Sequence, residues 1–77
     1  MPHIAVKLMQ GRTEGQKKEL AAQLSKAVMS VLGSDEGSVS VAIEDVAPSQ
    51  WDDEVFIPEI KGRKHTLYQK PGYGSVD

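Results

Sequence analysis

The group in this sequence best placed to do chemistry is Pro2, in the opening run Met1-Pro2-His3-Ile4. An initiator methionine is normally cleaved when the next residue is small, and a chain processed in this way begins with proline and carries a free secondary amine. A backbone α-amino group titrates near ~8 in model peptides, and burial or a nearby cation lowers that value because both disfavour the charged form. Such an amine is a base poised near neutrality. As a nucleophile the same group forms an imine with a carbonyl or promotes addition of water to an unsaturated acid. If the methionine stays, the Pro2 nitrogen is an amide with no basicity, and the proline merely starts an edge strand where its missing N–H costs nothing. His3 and His65 have no histidine, cysteine or carboxylate partner at ligand spacing, so they read as surface or interface side chains and no metal site is expected. Gly72-Tyr73-Gly74 lacks the lysine and helix of a phosphate loop, and no cofactor is implied.

The elements around Pro2 follow from periodicity. From His3 to Met9, Ile4, Val6 and Leu8 alternate with Ala5, Lys7 and Met9, the pattern of a half-buried strand whose first face meets the core. Gln10-Gly11-Arg12 is a turn, and Thr13-Glu14-Gly15-Gln16 has the spacing of a capping box, so a helix starts there. Leu20, Leu24, Ala27, Val28, Val31 and Leu32 form its apolar stripe, and Gly33 stops it. Ser38 to Val46 alternates again as a second strand. Strand, helix and strand make a βαβ unit, with parallel strands and a right-handed crossover. Beyond it, Pro48 to Asp53 reads as a turn and a short helical segment capped through Ser49 and Asp52, with Trp51 as its large anchor. Pro58 opens a further helix, in which Ile60, Lys64, Leu67 and Tyr68 share a face, until Lys70-Pro71-Gly72 ends it. The fold class is α/β, a two-layer α+β arrangement with one βαβ unit and a short C-terminal helical segment, in a single domain over residues 1–77.

At 77 residues a single chain buries only about 60% of its unfolded surface, and its own core is marginal. One helix covers one sheet face and two strands leave two open edges, so a homodimer that completes a four-stranded sheet is expected. No cysteine is present to add a disulfide or thiolate site, which suits the cytoplasm. No apolar run is long enough for a membrane span, and the N-terminus lacks the features of a signal peptide. Nine basic and eleven acidic residues give a net charge of −2, which provides no field for nucleic acid. The acidic run Asp52, Asp53, Glu54 and Glu59 precedes Lys61, Arg63 and Lys64 as solvated pairing.

Met1-Pro2 opening a strand, Gly11-Arg12 before a capped helix with Gln16-Lys17, and Ser38-Val39-Ser40-Val41 followed by Trp51 together resemble the 4-oxalocrotonate tautomerase family. The longer C-terminal part, with Lys70-Pro71-Gly72-Tyr73, is similar to the subfamily of about this length whose members form dimers, where the shorter members form hexamers. The resemblance implies a tautomerase/MIF-like fold and an enol–keto tautomerase of small 2-oxo acids that needs no cofactor. In that family the position of Pro2 is the catalytic base and the position of Arg12 holds a substrate carboxylate. A planar guanidinium beside a helix N-terminus suits the latter role; a surface ion pair is the plainer alternative. Ser40 aligns with the family's second arginine and offers one neutral hydrogen bond in place of charge. A monocarboxylic substrate with an apolar tail, such as an aryl enolpyruvate, therefore fits better than a dicarboxylate. Trp51 falls where the family carries phenylalanine and would form an apolar wall that desolvates Pro2, or serve simply as a core or interface anchor. A non-catalytic dimer acting as an interaction module is the competing reading.

Strand geometry adds a condition. Pro2 and Arg12 bracket about seven strand residues, which at roughly 3.3 Å each separates them by more than ~20 Å within one chain. A substrate that touches both must take Arg12 from another subunit. Ser40, by contrast, lies near the start of the second parallel strand, at the same end as Pro2, and could be its neighbour.

Overall fold

The computed structural model describes residues 1–76, in two compact units that part between Asp45 and Val46. The first contains strand β1 (His3–Met9), helix α1 (Glu14–Leu32) and strand β2 (Ser40–Val46), which runs into the second. β1 and β2 form a two-stranded sheet. The Ser40 N–H donates to the Pro2 carbonyl at 3.2 Å, so the starts of the two strands lie side by side and the pairing is parallel, the expected βαβ arrangement.

The helix begins and ends where local chemistry dictates. The Gln16 N–H donates to the Thr13 hydroxyl at 3.0 Å, and the Thr13 N–H donates to the Gln16 side-chain oxygen at 2.9 Å. A cap of this kind contributes about 1 kcal/mol. Gly33 takes the left-handed conformation at φ 71° and donates its N–H to the Met29 carbonyl at 3.0 Å.

The apolar stripe of α1 differs at its C-terminal end from the periodic reading. Leu20, Leu24 and Val28 are half-buried, together with Ala21, Ser25 and Met29, while Ala27, Val31 and Leu32 are exposed, Val31 to 80% and Leu32 to 66%. Nineteen helical residues span about 28 Å against about 23 Å for a seven-residue strand, a difference that suits the exposure of Val31 and Leu32 at the helix end, whereas Ala27 simply lies off the half-buried stripe.

β2 also starts later than its alternation suggests. Glu36–Ser38 forms a 3₁₀ turn, in which both the Ser38 hydroxyl and its N–H donate to the Asp35 carbonyl, at 2.9 and 3.1 Å. This local side-chain bond holds Ser38 out of the ladder.

In the second unit a 3₁₀ turn, Pro48–Gln50, leads through Trp51 into a wide helix, Asp52–Lys61. Neither Ser49 nor Asp52 makes the expected cap, since Ala47 precedes the turn and no side chain bonds its N-terminus. Pro58 lies inside the wide helix instead of opening a new one. In an ordinary helix the proline ring would strike the carbonyl four residues back and cost ~3 kcal/mol. Here the segment is wound more widely, with the Gly62 N–H reaching back five residues to the Ile57 carbonyl at 2.8 Å, and Pro58 sits within that winding. After Gly62 a 3₁₀ turn, Lys64–Thr66, replaces the remainder of the expected helix. Ile60 and Leu67 line a common hollow with Pro71, but Tyr68 is fully exposed.

Candidate functional site

The parallel register gathers three residues at the start of the sheet. Pro2 is half-buried, and its carbonyl is held by Ser40. His3 and Ser40 project from the same face, with the imidazole Nδ1 2.7 Å from the Ser40 Oγ. That face is opposite the one bearing Ile4, Val6 and Leu8, which α1 covers: Leu8 and Leu20 line one hollow. Ser40 is thus a neighbour of Pro2, as the topology required. His3 is exposed but not solitary. Sequence reading missed its bond to Ser40, although the signal was present, because both residues begin parallel strands at the same end and with the same outward parity.

Arg12 lies at the other end of β1, in an open hollow of 240 Å³ lined by Leu8, Arg12, Gln16, Lys17 and Leu20. Within one chain it is therefore separated from Pro2 by the whole strand, more than ~20 Å. The hollow combines an apolar floor with two cations. Lys17 is engaged there by Asp45 at 2.7 Å and Glu14 at 3.1 Å. Those hydrogen bonds, the Asp45 bond first and the Glu14 bond second, raise the Lys17 pKa above its usual 10.5 and outweigh its partial desolvation. Asp45 belongs to the β2 face that meets α1, so this ion pair ties the helix to the strand.

In the second unit Trp51 is half-buried, and its indole N–H donates to the Tyr73 hydroxyl at 3.0 Å. The Tyr73 ring stands 5.5 Å from Phe56 between centroids, tilted by 38°. Trp51 is therefore a fixed aromatic surface. Phe56 and Tyr73, which fix it, were not singled out by periodicity, because one lies in a helix of unusual winding and the other in an irregular tail.

The family model described as tautomerase enzyme matches residues 2–52. A probable tautomerase of Xylella fastidiosa is 45% identical over 76 residues, 99% of this chain and 93% of its own. Tautomerase PptA of Cronobacter sakazakii is 43% identical over 74 residues, 95% and 97% of the two chains. Among solved structures, TomN, a 4-oxalocrotonate tautomerase homologue in the tomaymycin biosynthetic pathway, has a TM-score of 0.64 at 32% identity over 65% of this chain and 77% of its own. A 4-oxalocrotonate tautomerase isozyme from Methylibium petroleiphilum has a TM-score of 0.63 at 34% identity over 65% and 81%.

Proposed function

The chain belongs to the tautomerase family, and from that premise we propose that it interconverts the enol and keto forms of small 2-oxo carboxylic acids such as aryl enolpyruvates, as a homodimer freed of Met1. The relatives named as tautomerases support isomerase chemistry in general. The observation that carries the narrower reading is the separation of functions along β1, with Pro2 and Ser40 at one end and the Arg12 hollow at the other.

In this mechanism the Pro2 amine takes the enol O–H proton. The electron pair of that bond forms the carbonyl, the former double bond supplies its pair to the adjacent carbon, and the pyrrolidinium returns a proton there. Met1 is fully exposed, which supports access for its removal. With Lys17 held by two carboxylates, binding of the substrate carboxylate falls to Arg12 of a second subunit. Ser40 takes the place of a second cation, and Trp51 is the apolar surface assigned to the substrate tail.

Intact mass of protein made in its native host tests the premise, the expected value being short by one methionine. With processing verified, Pro2→Ala is expected to lower ketonisation of an aryl enolpyruvate by about a hundredfold or more, the usual scale for a general base. An unchanged rate defeats the role of Pro2, and a retained methionine favours the non-catalytic dimer.

A further inference from the structure

A serine hydroxyl alone offers the substrate oxygen no charge, yet Ser40 is not alone. Its Oγ lies 2.7 Å from His3 Nδ1, and that bond can run in either direction. A neutral imidazole whose Nδ1 carries no hydrogen accepts the Ser40 proton, leaving only oxygen lone pairs to face outward. A protonated imidazole donates from Nδ1 to Oγ, and the Ser40 hydrogen is then free to point at a ligand. A donor polarised by a cation behind it makes a stronger bond than an isolated hydroxyl.

We propose that His3 and Ser40 form one proton-dependent oxygen-binding unit beside Pro2, in which protonated His3 turns Ser40 into a donor toward the carbonyl or enolate oxygen of a 2-oxo acid. This rests on the tautomerase reading. Ser40 touches the substrate, and His3 is a positioning residue that supplies, through Ser40, the positive charge absent from this position. Among the described residues, strand parity and the adjoining turn place these charged groups nearest the pair. Lys7 on β1 and Glu44 on β2 share its sheet face, each four residues along its strand and roughly 13 Å away. Asp35 and Glu36 stand in the turn before β2. α1 covers the opposite face, and its last turn carries no basic residue. The amino terminus also adjoins the pair, and it is uncharged in the deprotonated Pro2 form that catalysis requires. An imidazole is the side chain that changes charge between about pH 5 and 8, so the unit is strong in acid and weak in base.

The test uses Met-free protein and NMR titration of the two histidine rings with and without saturating phenylpyruvate, His65 serving as the internal reference. If the protonated unit binds the oxo acid about tenfold more tightly, reciprocity requires the ligand to raise the His3 midpoint by about one pH unit. That rise is expected in the wild type, without movement of His65, and is expected to vanish in Ser40→Ala. In kinetics, KM for an aryl enolpyruvate is expected to rise about tenfold from pH 5.5 to 8. It should stay flat in His3→Gln, whose amide does not titrate and keeps the same donor and acceptor groups at every pH. A His3 midpoint that ignores the ligand while catalysis is intact overturns the unit and leaves the tautomerase reading standing. A rise that persists in Ser40→Ala also overturns it, because His3 would then act without the hydroxyl. A Ser40-dependent rise in a chain with no tautomerase activity upholds the oxygen-binding unit and removes the activity.

Discussion

Trp51, the only tryptophan in the chain, owes its orientation to a residue twenty-two positions away. Tyr73 accepts the indole N–H and leans on Phe56, and Gly74 lies close against the far end of that same ring. Gly74 has φ 69°, and a Cβ added there would run into Phe56. Gly74→Ala therefore meets both a left-handed backbone and a ring that must move. It is expected to lower stability by about 1–3 kcal/mol, read from denaturant unfolding followed by Trp51 fluorescence. A variant of wild-type stability would show that the ring moves aside freely. Pro2 and Arg12 were singled out as candidates through the family resemblance and the chemistry of their residue types; the partners of Trp51 were not, since aromatic packing in a tail has no period.

Elements carry their own consequences. Both ends of α1 were readable because capping chemistry is local: Thr13 and Gln16 lie three residues apart, and Gly33 follows the last helical residue. The wide helix Asp52–Lys61 has Asp52, Asp53 and Glu54 in its first turn and Lys61 in its last, which places charge favourably on the helix dipole. Its winding was not readable, because sequence rules treat Pro58 as a start signal. The tie between α1 and β2 yields a pH prediction. Folding raises the Lys17 pKa through Asp45 and Glu14, so its contribution is complete below the unfolded lysine value and is lost as pH rises through the higher folded one. The wild-type melting temperature should therefore fall more steeply above about pH 10.5 than that of Lys17→Met, measured by circular dichroism. Parallel curves would remove Lys17 from the account.

At the scale of the whole molecule, the buried apolar side chains among the described residues are Val46 and Val55, at 2% and 5% exposure, while Met9, Val31, Leu32 and Ile57 stay open. So thin a core supports obligate association. Sedimentation equilibrium at micromolar concentration is expected to give a homodimer, and a monomer would contradict it. If Arg12 of one subunit serves Pro2 of the other, mixing inactive Pro2→Ala and Arg12→Ala proteins should restore activity. Each heterodimer has one site with both residues and one with neither. Exchange that leaves half of the dimers mixed should then recover about a quarter of wild-type sites. Verified heterodimers no better than either mutant alone would assign Arg12 a different role.

The sequence by itself determined the βαβ unit, the limits of α1 and the separation of Pro2 from Arg12, because each depends on interactions within a few residues or on the fixed rise of an extended strand. Only the tertiary structure decided which side chains meet. The His3–Ser40 bond, the Lys17–Asp45 pair and the Trp51–Tyr73 bond join residues separated by 37, 28 and 22 positions. Contacts across such distances follow from strand register and chain reversal, which pairing and packing establish together; strand parity hinted at the His3–Ser40 pair, and no local pattern marked the other two.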